Sequence, residues 1–211
     1  MQIQRIDKPT PVIIIDDFLP KDKAAECLEE CIALERIFMP AAVLDAQSGS
    51  VVNEKMRKNE VVYLDSVFSA NEKKSKIIQN VLRNGVFSPE AMKVWEEGNT
   101  GFELINRCTR SENVLSRYGN GDFYGFHRDW NATKANRLIT VVYYCNTEPG
   151  QFAGGNLLLR GTPENLSVAP KHNRLVAFNS GAYHSVEAVN LSSDKFSDGR
   201  FSVNMWLGFR N

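Results

Sequence analysis

The chain has 211 residues, and 25 Lys or Arg balance 25 Asp or Glu, so its formal net charge is zero. A neutral chain has no electrostatic reason to bind a polyanionic backbone, and we expect no nucleic-acid partner. No apolar run reaches the roughly 18 residues of a membrane span, and the first residues do not form a signal peptide. Four scattered cysteines complete no zinc pattern and are typical of buried thiols in a reducing compartment. We therefore expect one cytoplasmic domain over residues 1–211 with no membrane partner.

The N-terminal part of the sequence mixes strand and helix patterns. Apolar residues recur at helical spacing after Pro20, and Ser88-Pro89 is a typical helix start, with a capping serine before proline. Residues 47–60 are polar and predict a hairpin or loop, either a substrate lid or a solvated segment. The predicted elements are a strand over 12–16, a helix over 20–36, strands over 38–45 and 61–65, a helix over 72–82 closed by Asn84-Gly85 as a C-cap, and a helix from 88 to about 97, ending near Gly98.

From residue 112 onward, short β-rich runs follow one another at close intervals, separated by turn residues such as Gly119-Asn120-Gly121 and Gly154-Gly155. Such a pattern is typical of a sandwich, barrel or jelly roll. The predicted strands are 114–118, 138–145, 156–160, 166–169, 175–179, 185–189 and 201–209. We expect a mainly β protein with N-terminal helices (α+β), in which residues 1–110 support a jelly-roll core over residues 111–211.

A candidate metal site begins with His127 and Asp129, which share one face if their segment is extended. His184 begins another predicted strand, and strands distant in sequence lie side by side in a jelly roll. Two histidines and one carboxylate form the facial triad of non-haem Fe(II) oxygenases, which leaves three positions free for substrate-derived ligands and oxygen. The remaining histidine, His172, lies in a polar turn and is assigned to the surface.

The last predicted strand provides a candidate anchor for an anionic co-substrate. Arg200, Ser202, Asn204 and Trp206 alternate with apolar residues, so the four should share one face. A buried arginine needs a partner, and the distal carboxylate of a dicarboxylate would accept a bidentate hydrogen bond from it. The 2-keto acid end of such a molecule would chelate iron, and the Ser202 hydroxyl would add a bond to the distal carboxylate.

The motifs from Tyr118 to Trp206, taken in their order along the chain, resemble the prolyl 4-hydroxylase-like branch of the 2-oxoglutarate/iron oxygenases. The matching motifs are Tyr118-Gly119, His127-x-Asp129, Arg137-x-x-Thr140, Tyr143-Tyr144, Gly154-Gly155, Pro170, Arg174-Leu-Val-x-Phe178, His184-x-Val186-x-x-Val189 and Gly199-Arg200-x-Ser202-x-x-x-Trp206. The resemblance covers less than half of the chain.

The resemblance implies a distorted double-stranded β-helix with iron held by His127, Asp129 and His184 and the distal carboxylate held by Arg200. Tyr144 matches the tyrosine that bonds the same carboxylate, Tyr118 would lie near the co-substrate or the substrate entrance, and Trp206 would form a pocket wall. The chain departs from the branch in a polar insertion over residues 191–198. This insertion makes Lys195 a rival anchor, but the alternating strand follows Arg200 directly.

These residues predict an enzyme, an Fe(II)- and 2-oxoglutarate-dependent dioxygenase that uses O2, with ascorbate as a further candidate cofactor. It would hydroxylate an unactivated carbon and release succinate and CO2. The candidate substrate is a prolyl residue of a protein or peptide, and the alternative is a free amino acid or small metabolite. Two other interpretations remain: a triad dioxygenase that uses no keto acid, and a non-catalytic jelly-roll module that binds a ligand.

Overall fold

The computed structural model describes residues 1–45, 49–69, 74–97, 101–130 and 136–210, in which strands dominate. The strands are β1 Gln2–Ile6, β2 Val12–Asp16, β3 Met39–Pro40, β4 Val43–Asp45, β5 Gly49–Val51, β6 Arg57–Lys58, β7 Glu60–Tyr63, β8 Arg110–Tyr118, β9 Phe123–His127, β10 Arg137–Tyr144, β11 Phe152–Gly154, β12 Leu157–Leu159, β13 Leu166–Val168, β14 Leu175–Asn179, β15 His184–Val186, β16 Val189–Leu191 and β17 Arg200–Gly208. The helices are α1 Lys21–Ala33, α2 Leu64–Ser69, a π-helix Ile78–Val86, α3 Pro89–Glu96, and short 3-10 helices Glu35–Ile37, Phe102–Arg107 and Phe196–Asp198. The prediction of a mainly β protein with helices is confirmed.

The strands form two main antiparallel sheets. The order β1-β2-β14-β10-β17-β8-β7-β3 makes the major sheet, and the order β13-β12-β15-β9-β6 makes the minor sheet. From β8 onward the chain passes repeatedly from one sheet to the other, so that β8, β10, β14 and β17 lie in the major sheet and β9, β12, β13 and β15 in the minor sheet. This crossing brings residues that are distant in sequence to the space between the sheets.

Each face of the major sheet covers its own apolar cluster. On one face, the buried residues of α1 (Ala24, Cys27 and Cys31) share a cluster with residues of the sheet and of the other helices. On the other face, residues of the major sheet such as Val176 and Phe178 cluster with residues of β12 and β13 in the minor sheet. Burial of apolar area on both faces is the main force that holds the layers together.

Strand β17 alternates between these two faces as its sequence predicts. Its apolar residues Phe201, Val203, Met205 and Leu207 all belong to the helix-side cluster. Its polar and large residues Arg200, Ser202, Asn204 and Trp206 line a cavity on the opposite side. The period of two in a β-strand therefore separates packing residues from cavity residues along one segment.

One predicted element boundary is wrong. Asn84-Gly85 does not close the preceding helix, because the π-helix continues to Val86. A Cβ on Gly85 would lie 2.7 Å from the Phe18 ring, so glycine permits a close approach here and is not a cap. Residues 72–73 at the start of that predicted helix, and Gly98 near the end of the next, lie outside the described residues. The Ser88 hydroxyl accepts a hydrogen bond from the Ala91 amide as an N-cap should.

Two predicted strands also differ from the structure. The strand predicted over 61–65 ends at Tyr63, where α2 begins with buried Leu64, and the strand predicted over 38–45 is broken into β3 and β4. Residues 47–48 of the predicted hairpin or loop lie outside the described residues; of the rest, β5 pairs with β4 and β6 pairs with β9. In the polar insertion over 191–198, Phe196 packs edge-on against Phe38 and Phe201. No helix of the described residues is long and apolar enough to cross a membrane.

An ion pair between β2 and the residue before β14 gives a test of how these neighbouring strands of the major sheet are held together. The Arg174 guanidinium donates to both Asp16 carboxylate oxygens at 2.5 and 2.8 Å, and this hydrogen bonding holds the pKa of Asp16 below its usual value. We expect Asp16→Asn to lower the free energy of unfolding by about 2 kcal/mol, because it leaves buried Arg174 with a weaker partner.

The difference should be measured by urea unfolding at several pH values. A lowered folded-state pKa stabilises the protein above the unfolded pKa, which is about 3.9 for Asp, and the benefit is lost as pH falls through the folded value. The wild type and the variant should therefore converge in acid. An equal stability of the two proteins at neutral pH would contradict the assignment.

Candidate active site

The candidate metal ligands lie where β9 and β15 pair. His127 is the last residue of β9 and His184 is the first of β15, and their Cα atoms are partners in the antiparallel register. Asp129 follows β9, and its amide donates to the Ser180 carbonyl at 3.0 Å. One ligand atom from each of these three side chains lies within 4.8 Å of the other two. The sequence-predicted triad is therefore brought together at one point.

Hydrogen bonds orient both imidazoles toward that point. The Nδ1 atom of His127 lies 2.9 Å from the Gly125 carbonyl, and that of His184 lies 2.9 Å from the Ala182 carbonyl. A carbonyl can only accept, so each Nδ1 carries the proton and each Nε2 keeps a free lone pair. The Nε2 atoms lie 3.7 Å and 3.5 Å from the two carboxylate oxygens of Asp129. This tautomer and orientation are those that a metal ligand needs.

The charge states in this cluster suit a divalent cation. Burial alone would raise the pKa of Asp129, but the neighbouring His184 and His127 outweigh it and hold the pKa well below its usual value. Burial and the adjacent His127 lower the pKa of His184 to about 4. At neutral pH the site therefore presents an anionic carboxylate and a neutral His184, the protonation states that bind metals.

The Asp129 carboxylate is held by a short chain of buried hydroxyl groups. Thr140 donates to its Oδ2 atom at 2.7 Å, and the Thr140 oxygen lies 2.9 Å from the Ser180 hydroxyl. Both hydroxyl residues are almost fully buried. Thr140 belonged to a recognised motif, but its bond to Asp129 depends on the long-range pairing of β10 with β14 and has no local sequence signal.

The cavity beside the triad has a volume of about 680 Å³, which is typical of small-molecule sites. The sequence-predicted residues Tyr118, Tyr144, Arg200, Ser202 and Trp206 all line it, together with the triad. The rival anchor Lys195 is exposed on the surface. His172 is half-buried rather than fully on the surface, and its Nδ1 atom accepts from the Asn146 amide at 3.2 Å, away from this cavity.

Arg200 is 1% exposed and lies in the cavity wall on the major sheet. Its guanidinium donates to the Gly155 carbonyl at 2.7 Å and to the Ser202 hydroxyl at 3.2 Å, and lies 4.8 Å and 5.0 Å from the rings of Tyr118 and Tyr144. It forms no salt bridge with any residue that the structure describes. A buried guanidinium without a carboxylate is costly, so this arrangement fits an anion bound in the cavity.

Two other buried polar atoms support the same conclusion. The Tyr144 hydroxyl is buried without a hydrogen-bond partner, and burial raises its pKa, so it stays protonated and able to donate. The Trp206 indole N–H is also buried without a partner, although it is near enough to Asp129 to lower that carboxyl's pKa. Unsatisfied buried donors are rare in native proteins and indicate a ligand or water. The residues present therefore fit a metal ion together with a carboxylate-bearing co-substrate.

Tyr124 is a further residue of the site that the sequence pattern did not single out. Its ring stacks on the His127 imidazole, with centroids 3.6 Å apart and planes 14° apart, and the Arg57 guanidinium carbon lies 4.5 Å from its centroid. Because β6 pairs with β9, Arg57 of the polar segment reaches the cavity wall. The spacing of Tyr124 from His127 is not that of a shared strand face, so alternation alone would not have found it.

Comparison with known proteins agrees with this geometry. Residues 114–208 match the family model described as the 2OG-Fe(II) oxygenase superfamily. A PKHD-type hydroxylase of uncharacterised function from Synechocystis is 36% identical over 104 residues, which are 44% of this chain and 34% of that protein. The chain therefore spans about a third of the length of this curated relative.

Solved structures show the same fold. A prolyl hydroxylase from Trichoplax adhaerens, solved with a peptide fragment of hypoxia inducible factor, has a TM-score of 0.68 at 20% identity, covering 93% of this chain and 83% of that one. A prolyl-4-hydroxylase from Pseudomonas putida has a TM-score of 0.66 at 20% identity, covering 95% and 93%. The predicted resemblance to the prolyl 4-hydroxylase-like branch is confirmed, by the family-model match over residues 114–208 and by the shared fold.

The hydroxyl chain behind Asp129 gives a prediction about metal affinity. We expect Thr140→Val to weaken Mn(II) binding by about tenfold, as loss of a hydrogen bond to a ligating carboxylate commonly does. Thr140→Ser keeps the hydroxyl and should bind Mn(II) like the wild type. Titration with Mn(II) against a competing chelator measures both. Equal affinity of the valine variant and the wild type would show that the bond does not orient the ligand.

Gly155 gives a prediction about the co-substrate anchor. It has a φ of +68°, and an added Cβ would lie 2.7 Å from Arg200 Cδ. Gly155→Ala should displace the guanidinium and weaken 2-oxoglutarate binding by about tenfold, while costing about 1–2 kcal/mol of stability. Calorimetry in the presence of Mn(II) and thermal unfolding measure the two effects. The matched control is Gly150→Ala, since an added Cβ there meets no heavy atom within 4 Å, and it should change neither quantity.

Proposed function

We propose that this protein is a 2-oxoglutarate- and Fe(II)-dependent hydroxylase of an unactivated carbon, with a prolyl residue of a protein or peptide as its substrate. The observation that carries the proposal is the presence, in one cavity, of a buried His-Asp-His triad and a buried Arg200 without a carboxylate partner. A metal-binding triad alone, or a buried arginine alone, also occurs in proteins of other classes. Together they match a metal that binds a dicarboxylate keto acid.

Each residue has a role in this proposal. His127, Asp129 and His184 hold Fe(II), and Thr140 keeps the Asp129 carboxylate in place. Fe(II), when bound, supplies the activation of O2 that couples oxidation of 2-oxoglutarate to succinate and CO2 with hydroxylation of the substrate. The protein supplies the orientation of both substrates and the exclusion of water.

The opposite end of the cavity holds the co-substrate. Arg200 donates hydrogen bonds to its distal carboxylate, and the hydroxyls of Ser202 and Tyr144 add two more donors. Tyr118 lies under the Arg200 guanidinium, and Trp206 forms the wall next to Asp129. We assign the two facing sheets to the double-stranded β-helix (jelly roll), since strands from β8 onward cross repeatedly between them. Residues 1–211 would then form one oxygenase domain, with residues 1–110 supporting the core.

The substrate assignment is supported by similarity to prolyl hydroxylases, and its alternative is a free amino acid or small metabolite. A further alternative, a jelly-roll module that binds a ligand without turnover, is disfavoured by the complete triad and the anchor. A triad dioxygenase that uses no keto acid is disfavoured because it would leave Arg200 buried without a partner. Oxygen consumption that depends on added 2-oxoglutarate separates these alternatives.

The deciding measurement is the weak visible absorption of Fe(II) and 2-oxoglutarate bound together, recorded without oxygen. We expect the wild type to show it, His184→Ala to abolish it, and Arg200→Ala to require about tenfold more 2-oxoglutarate, since a charge-assisted bidentate bond is lost. Lys195→Ala is the matched control and should behave like the wild type, because Lys195 is exposed.

Absence of the band in folded wild-type protein would remove the proposal and favour the non-catalytic module. Loss of the band in Lys195→Ala with its retention in Arg200→Ala would instead assign the anchor to the insertion. Retention of the band in His184→Ala would contradict the metal ligand set.

A further inference from the structure

Two arginines and two aromatic rings lie together on the minor sheet beside the metal ligands. We call this group the Arg–aromatic patch, and its members are Phe126, Arg128, Arg160 and Tyr183. The rings of Phe126 and Tyr183 stack with centroids 5.6 Å apart and planes 12° apart. The Arg160 guanidinium carbon lies 4.4 Å and 4.6 Å from the two centroids, and that of Arg128 lies 5.5 Å from the centroid of Tyr183. Both arginines are exposed, and both rings are half-buried.

The strand register fixes where the patch lies relative to the active site. Leu159 is the partner of His184, and His184 is the partner of His127. All four members of the patch are immediate chain neighbours of these residues, and Arg160, Tyr183 and Arg128 form the next row, just beyond the ends of β12, β15 and β9. Since side chains alternate along a strand, the patch faces away from the ligands. The patch therefore lies at the end of the minor sheet, next to the candidate metal site. One of its members, Arg128, also borders the cavity.

The patch carries positive charge without a counter-charge. Neither Arg128 nor Arg160 forms a salt bridge with any residue in the described part of the chain, whereas Arg137 and Arg174 are both paired with carboxylates there. Two like charges around one tyrosine ring repel each other. A carboxylate placed between them would relieve this repulsion and accept charge-assisted hydrogen bonds. Flat aromatic surface beside the charges suits the aliphatic stems and peptide groups of a polypeptide.

We propose that the Arg–aromatic patch docks an acidic segment of a polypeptide substrate, adjacent in sequence to the residue that enters the cavity. Strands lie about 4.8 Å apart, so the row from Arg160 to Arg128 spans about 10 Å, the length of about three residues of extended chain. A small metabolite inside the cavity would not reach Phe126, Arg160 and Tyr183, which do not line it. The inference rests on the proposed hydroxylase function, because it takes the cavity as the place where the target residue binds.

The test measures binding, so it does not depend on turnover. The probes are two fluorescein-labelled peptides of about twelve residues, identical except that four glutamates next to a central proline are replaced by glutamines in the second. Fluorescence anisotropy at low salt gives the affinity of the full-length protein for each. We expect the glutamate peptide to bind about tenfold more tightly, with a preference that weakens as salt is added.

Variants then locate the preference. Arg128→Gln/Arg160→Gln should reduce the preference for the glutamate peptide to less than about threefold, because both unpaired charges are removed. The matched control is Arg36→Gln/Arg83→Gln, which changes the net charge equally at exposed positions on the helical side, and it should retain the full preference. Arg160→Gln alone, which lies farther from the metal ligands, serves if the double variant does not fold, and it should lose part of the preference.

Several results would overturn the inference: equal binding of the two peptides, no binding of either, or an equal loss of preference in the control variant. Tighter binding of a single-stranded oligonucleotide of matched charge would assign the patch to nucleic acid instead. The visible band of bound Fe(II) and 2-oxoglutarate distinguishes failure of this inference from failure of the proposed function. A normal band without peptide preference removes only this inference, whereas peptide preference without the band removes the hydroxylase assignment and leaves the patch as a peptide-binding surface that serves no hydroxylation.

Discussion

The antiparallel pairing of β9 with β15 is the constraint on which the site depends. This pairing places His127 opposite His184, so the strand register alone brings the two imidazoles to a common point. The register is fixed by the flanking strands, since β15 also pairs with β12 and β12 contributes Leu157 and Leu159 to the core between the sheets. A slip of one residue would turn either histidine to the opposite face. The candidate metal site is therefore a product of core packing as much as of its own side chains.

The two histidines lie within strands, whereas the third candidate ligand, Asp129, does not. Asp129 follows the end of β9 and is not within a strand, so its backbone and carboxylate are held by single hydrogen bonds to Ser180 and Thr140. Thr140 is in β10 and Ser180 is in the turn after β14. Both of these strands are in the major sheet. Asp129, the candidate carboxylate ligand, is thus connected along the chain to the minor sheet and hydrogen-bonded to residues of the major sheet. It links the two sheets at the point where the metal would bind.

Local patterns in the sequence were sufficient for those features that depend on strand periodicity. The faces of β17 followed from alternation, so Arg200 was placed in the cavity wall with Ser202, and the rival Lys195 lies on the surface. The cap at Ser88 was likewise a local signal. Features that depend on tertiary contact were not accessible in this way: Gly85 is required by the approach of the Phe18 ring and not by a helix end.

The major sheet carries Arg200 and the minor sheet carries the two histidines, and this division has a consequence for ligand choice. Because these groups lie on different sheets, the span between them depends on the separation of the two layers, which is about 10 Å for packed sheets. Leu159 and Phe178 are among the side chains that hold this separation. They would therefore set the length of co-substrate that fits between the histidines and Arg200. Phe178 also contacts His184 edge-on, with centroids 4.8 Å apart. On the proposed function, the thickness of the hydrophobic core would therefore select between dicarboxylic keto acids that differ in length by one methylene.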